Sequence, residues 1–159
     1  MVIEIKGGIL GQNDVRETVT IPKSRVSYWS CSGANFVASN PDTDQVSIEN
    51  STFDGESSIE AEADNIHFQA EVHLPHGAIV TRVIIYGDAA AHAETWELVR
   101  LITDGTVDSV MATKNIGTAD ATISDATIDN QNYTYQLSTT SLDTNDSIQN
   151  AYITYTTTN

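Results

Sequence analysis

The chain has 159 residues and a formal charge of −15, from 7 Lys and Arg against 22 Asp and Glu. That length suits one domain able to bury about 68–70% of its unfolded surface, so folding requires no disulfide or metal, and the single Cys31 cannot cross-link a monomer. The charge argues against nucleic acid, whose phosphates demand clustered Lys and Arg, and no stretch approaches the ~18 consecutive apolar residues of a membrane span.

The strand signals begin at once. Residues 2–5 and 15–21 are strand-like, with Gly7, Gly8 and Gly11 as a flexible joint between them. Residues 1–25 hold Lys6, Arg16, Lys23 and Arg25 against Glu4, Asp14 and Glu17, a charge of +1 that leaves −16 for the rest. These features predict an N-terminal arm over 1–25, in which Val2, Ile3 and Ile5 add to a sheet edge of the same or a neighbouring subunit. A β-sandwich domain is expected over 26–159. The N-terminus has no basic start, apolar core or cleavage site, so no classical signal peptide is expected.

Further strands are expected at 26–30, 46–48, 66–72, 78–86, 96–103, 107–113, 122–128, 133–138 and 147–156. Apolar and polar residues alternate cleanly in Tyr133-Thr134-Tyr135-Gln136-Leu137 and from Ile66 to Val72. The strand over 78–86, about 30 Å long at roughly 3.3 Å per residue, follows Leu74-Pro75-His76-Gly77. Pro75 lacks a donor and suits a strand entrance, and Gly77 supplies the dihedral freedom of a structural corner. Because Val80, Val83, Ile84 and Ile85 are apolar on both faces, this strand is expected to be central and buried. Thr103-Asp104-Gly105-Thr106 is a hairpin signal, and residues 89–94 suggest a helical turn. About ten short strands at regular spacing predict an all-β, single-domain β-sandwich, jelly-roll-like.

Few residues point to chemistry. Glu71, His73 and His76 could be read as zinc ligands, but Pro75 between the histidines prevents a helical metal motif, and a structural corner at Pro75, His76 and Gly77 is the expectation. Acidic residues cluster in loops, and Asp42, Asp44, Asp143 and Asp146 are the candidates for calcium, which takes six to eight oxygens. A solvated acidic surface is the plainer account. Cys31 sits among small polar residues as a bystander thiol. The acceptor patterns at Asn50, Asn132 and Asn145 are read as chance sequons. Tyr28, Trp29, Trp96 and the other tyrosines could stack on a sugar face, but Tyr28 and Trp29 face opposite sides of one strand, so at most one of them is exposed, and Trp96 belongs in the core. There is no nucleophile elbow, P-loop or dinucleotide fingerprint, and the expectation is that the protein is not an enzyme.

The residues Leu74-Pro75-His76-Gly77-Ala78, Val80-Thr81, Trp96, Leu98, Met111-Ala112, Ile128-Asp129-Asn130, Tyr133, Tyr135, Ala151, Ile153 and Tyr155 together resemble a loose group of mostly uncharacterised bacterial, archaeal, phage and environmental β-sandwich proteins. The resemblance spans a little over half of the chain. It implies a small jelly-roll-like module of secreted or virion-associated proteins and carries over no catalytic residue.

The first expectation for function is a non-enzymatic structural or assembly subunit of a virion or cell-surface structure, a homo-oligomer joined through the sandwich and its arm. The alternative is a ligand-binding module, above all for carbohydrate, with its site in loops at one end of the sandwich. A metal-dependent enzyme is the third. Glycan is the expected small partner, no nucleic acid or membrane insertion is expected, and the location is virion or extracellular.

Overall fold

The computed structural model describes residues 2–4, 18–20, 23–50, 57–88, 90–102 and 104–158. Among them run twelve strands, β1 (Val2–Glu4), β2 (Thr18–Thr20), β3 (Ser24–Ser32), β4 (Val37–Ala38), β5 (Val46–Asn50), β6 (Ser57–Ala61), β7 (Phe68–Val72), β8 (Ile79–Gly87), β9 (Thr95–Ile102), β10 (Val107–Asn115), β11 (Tyr133–Thr139) and β12 (Ser147–Thr158). The regular helices among the described residues are two 3₁₀ turns, Gly33–Asn35 and Ala90–Ala93.

The strands build an all-β sandwich of two antiparallel sheets. One has the order β10-β9-β11-β7-β4; the other runs β3-β12-β6-β5, with β8 on the second edge of β12. From β6 to β9 the chain alternates between sheets in jelly-roll-like fashion, and β9, β10 and β11 then stay in one sheet before β12 returns to the other. The inward positions of both sheets fill the space between them, with Phe36, Phe68, Trp96, Leu98, Ile85 and Ile153 among the fully buried side chains. Burial of this kind stabilises by about 25 cal/mol per Å² of apolar surface. The buried polar Thr139 is satisfied, because its Oγ1 accepts the Phe68 N–H at 3.0 Å.

The corner ahead of β8 is a knot of distant segments. Ala78 N–H donates to Pro75 O at 3.0 Å, Gly77 has φ +77°, and Gly77 N–H reaches Ile128 O at 2.8 Å. His76 Nδ1 accepts the Asn130 N–H at 3.2 Å, Asn130 Nδ2 donates to Leu74 O at 2.8 Å, and Tyr135 Oη accepts the Asp129 N–H at 2.7 Å. Residues 74–78, residues 128–130 and Tyr135 are thus one structural unit.

β8 is central. β12 lines one edge, and residues 117–127 line the other through Gly117 N–H to Ile85 O, Val80 N–H to Ala126 O and a bridge between Val83 and Asp120. Ile84 is only 3% exposed, yet it lies outside the main core cluster, on the outward side of the sheet opposite Tyr152. Ile84→Ala is expected to cost about 2–5 kcal/mol, measured as the shift in a urea midpoint at constant slope. A loss below about 1 kcal/mol would mean that this site collapses or is wet.

Two sequence expectations need correction. Residues 122–128 do not form a strand. Asp120 takes the Thr122 N–H on Oδ1 at 2.8 Å and the Thr113 N–H on Oδ2 at 3.3 Å, and Asp125 turns the chain at φ +47°. A carboxylate that captures backbone donors competes with a ladder. Residues 57–61 do form a strand, β6, although Ser-Ser-Ile-Glu-Ala has weak β propensity, because Ser58, Ile59 and Ala61 are all buried in the assembled sheet. β3 begins at Ser24, which pairs with Thr158. In the arm, β1 and β2 pair with each other, Val2 opposite Thr20; Ile5 and the glycine joint lie outside the described residues.

Candidate functional site

Sheet periodicity places one set of side chains on the outward face of β3, β12 and β8. Alternation sends Trp29 and Cys31 toward the core and leaves Tyr28, Ser30 and Ser32 facing out. On β12, Ala151 and Ile153 are buried, and Asn150, Tyr152 and Thr154 face out. Register then sets three rows across the sheet: Tyr28–Thr154–Arg82, Ser30–Tyr152–Ile84 and Ser32–Asn150–Tyr86.

These rows put three tyrosines on a diagonal, one strand over and two residues along at each step, a spacing of about 7–8 Å. Tyr28 is 74% exposed, Tyr152 44% and Tyr86 37%. The Tyr86 and Tyr152 rings meet edge to face, with centroids 6.0 Å apart and planes at 83°, an arrangement that the ring quadrupoles favour. Arg82 stands beside this platform, and Tyr28, Arg82, Tyr86, Tyr152 and Asn150 share one shallow cavity. Scattered exposed aromatics are ordinary; an aligned group of three is not.

Beyond Tyr152 the platform opens into a polar groove of about 680 Å³. It forms where β3 stops at Ser32 and β6 takes over the pairing with β12 at Ser147 and Ile148. Ser32 Oγ lies 2.5 Å from Ser57 Oγ and so ties the two strand ends together. Gly33 permits this switch: a Cβ there would stand 1.9 Å from Ile148 O. Gly33→Ala is therefore expected to cost at least 1–3 kcal/mol by overpacking, read from thermal unfolding, whereas an unchanged melting temperature would show that the 3₁₀ turn is free to move.

The groove is lined by hydroxyls and carboxylates, including Ser32, Ser57, Ser147, Glu60 and Asp88. Asp88 Oδ1 accepts the Ala91 N–H at 3.0 Å and the Ser147 N–H at 3.5 Å. Asn150 Oδ1 is buried without a hydrogen-bond partner, an unmet acceptor where the platform joins the groove. Cys31 lines the groove too; burial pushes its thiol up to about 11, against a hydrogen bond from the Ala151 backbone. At pH 8 its alkylation is expected to be about 100-fold slower than that of a free thiol, since only the thiolate reacts. Rapid modification of the folded protein would contradict that burial.

The other sheet carries a second cluster, on the side that bears Trp96 and Leu98 and near the end of the sandwich. Arg100 is held by Asp108 and by Asp125 at 3.2 Å, and its guanidinium lies 4.3 Å from the centre of the Tyr133 ring. Its charge is already used in the fold, which raises its pKa, first through the hydrogen bond with Asp108. Arg82 has no ion pair among the described residues.

The calcium candidates fare differently from the aromatic ones. Asp44 Oδ2 accepts the Asn40 N–H at 3.1 Å, and Asp146 Oδ2 accepts the Asp143 N–H at 2.9 Å, so both close local turns. Among the described residues no three His, Cys, Asp or Glu side chains gather as a metal site, and Asp42, Asp44, Asp143 and Asp146 do not form one. His73 pairs with Glu71 at 3.3 Å while His76 belongs to the corner. Tyr28 is exposed, Trp29 is packed against the core and Trp96 is fully buried. The cavities described lie on a sheet face built from strand residues, where loops at one end of the sandwich were expected. The sequence singles out neither Arg82 nor Asn150, and it offers Tyr86 and Tyr152 only as two of several tyrosines able to stack on a sugar. The signal for them was the alternation of Asn150, Tyr152 and Thr154 against apolar Ala151 and Ile153.

No protein-family model matches the chain, and no curated protein matches it. Among solved structures it is similar to the C-terminal CBM6 of LamC, a marine laminarinase from Zobellia galactanivorans, with 10% identity and a TM-score of 0.52 over 80% of this chain and 98% of that one. It is similar, at a TM-score of 0.47 and 14% identity, to the CBM22-1–GH10 modules of Clostridium thermocellum xylanase 10B complexed with xylohexaose, over 78% of this chain and 26% of that one. A third likeness, to infectious bursal disease virus strain Gx, has a TM-score of 0.37 and 11% identity over 98% of this chain and 38% of that one. The likeness to the CBM6 fold agrees with the β-sandwich built above.

Proposed function

We propose that the protein is a non-enzymatic carbohydrate-binding module whose site is the outward face of β3, β12 and β8. The observation that carries this is the diagonal of exposed Tyr28, Tyr152 and Tyr86 running into a hydroxyl-rich groove. Aromatic rings with polar tips suit ligands that are apolar on one face and hydroxylated at the edge, as sugar rings are. Arg82, Gln149 and Asn150 supply directional hydrogen bonds beside the rings. Binding is favoured over catalysis because Asp88 already serves backbone donors and Cys31 is a neutral thiol at pH 7. An extracellular setting accords with such a module. Likeness to a carbohydrate-binding module shows the fold alone, so the side chains carry the proposal. The test is a glycan array probed with the folded protein: saturable binding to a family of related glycans supports it, and no bound glycan overturns it.

A second reading, assembly into a homo-oligomer on a virion or cell surface, has one observation in its favour. β3 is nine residues long and pairs only with β12 among the described strands, and a long edge strand of this kind offers unpaired donors and acceptors to a neighbouring copy. Size-exclusion with light scattering decides it: a dimer or larger species at micromolar concentration supports the reading, and a monomer throughout overturns it.

A further inference from the structure

We infer that, given a carbohydrate site on this face, its ligand is a neutral linear glycan of about three to four units lying along the tyrosine diagonal with one unit in the groove, and that glycans bearing carboxylate or sulfate are rejected. Length follows from the rows. Two diagonal steps of about 7–8 Å lay out the platform from Tyr28 to Tyr86, and the groove extends it.

Neutrality follows from the charges that face the ligand. The groove is lined by Glu60 and Asp88, and no Lys, Arg or His is among its lining residues. Among the residues lining both cavities Arg82 is the only cation, and it stands in the row of Tyr28, two rows from Asn150. Arg82 lines the platform and not the groove, so the groove's own charge is that of its two carboxylates. A uronate or sulfate in the groove would meet like charges there and an acidic molecule at long range, whereas sugar hydroxyls donate to the carboxylates and to the serine oxygens.

The experiment is an array of linear neutral oligosaccharides of one to six units, each beside its C6-oxidised and 6-O-sulfated forms, with affinities measured by calorimetry. Wild-type protein is expected to bind a neutral chain at least 10-fold more tightly than its acidic forms, with affinity rising to three or four units and then flat. Glu60→Gln is expected to narrow that gap several-fold. Glu71→Gln, on the other sheet, removes the same charge and is expected to leave the gap unchanged, which separates a local effect from overall repulsion. Acidic chains bound as well as neutral ones, or equal effects of the two variants, overturn the charge rule and leave the carbohydrate reading standing. No bound glycan at all overturns both. The wild-type comparison decides neutrality even if a variant fails to fold.

Discussion

Replacing Trp96 with alanine is expected to destabilise the protein by about 3–5 kcal/mol, the range for deleting a large buried aromatic. Trp96 is fully buried on β9, between Lys114 of β10 and Thr139 of β11 in the ladder. Its Nε1–H donates to Thr118 O at 3.1 Å. The substitution therefore opens a cavity between the sheets and removes the donor of the Thr118 carbonyl, which belongs to an exposed residue and can turn to water. Against a total stability of about 5–15 kcal/mol, such a loss takes much of the folding free energy. Trp96→Phe keeps most of the packing and loses the hydrogen bond, so its cost should be clearly smaller. Urea unfolding followed by circular dichroism measures both. A loss under about 1 kcal/mol for Trp96→Ala would place this side chain outside the core.

Tyr152→Ala is expected to weaken glycan binding at least 10-fold, a change of about 1.4 kcal/mol, while the protein stays folded. Tyr152 sits at the middle of the diagonal, makes the edge-to-face pair with Tyr86 and borders both the platform and the groove. Central aromatic anchors carry most of the free energy of a binding face. Truncation removes one ring and frees a second, so its effect should exceed that of Tyr28→Ala, at the end of the diagonal. Some stability is lost as well, because Ile84 lies directly across the strand from Tyr152. Thr134→Ala, at an exposed position on the other sheet, is the control and should bind as the parent does. Equal affinity of Tyr152→Ala and the parent would remove the sheet face as the site.

The β-sandwich was legible because its strands announce themselves locally. Val80 to Ile85, Trp96 to Leu101 and Tyr133 to Leu137 are β-branched, aromatic or alternating runs, and their pattern survives whatever the tertiary context. β6 was not legible, since Ser57, Ser58 and Ala61 have no strand preference of their own and are extended because β5 and β12 hold them. The error over 122–128 has the opposite cause. Thr122, Ile123 and Thr127 suit a strand, but the Asp120 carboxylate and the left-handed Asp125 redirect the backbone.

The candidate site was legible residue by residue and not as a site. That only one of Tyr28 and Trp29 could face solvent follows from period two alone. That Tyr28 joins Tyr152 and Tyr86 depends on the register of β3 and β8 against β12, strands far apart in the chain, and register is set by turns and core packing together. Calcium was suggested by carboxylate abundance, which says how many acids there are and nothing about convergence. The carboxylates of Asp44 and Asp146 sit in loops as turn-closing groups.

The most direct measurement is a ¹⁵N-labelled titration with the highest-affinity array glycan, following every assigned amide. The expected result is a contiguous set of shifted resonances at Tyr28, Ser30, Arg82, Tyr86, Asn150 and Tyr152, extending to Ser57 and Glu60, with the outward face of β9, β11 and β7 silent. Shifts confined to that opposite face or to loops at the ends of the sandwich would contradict the assignment of the site.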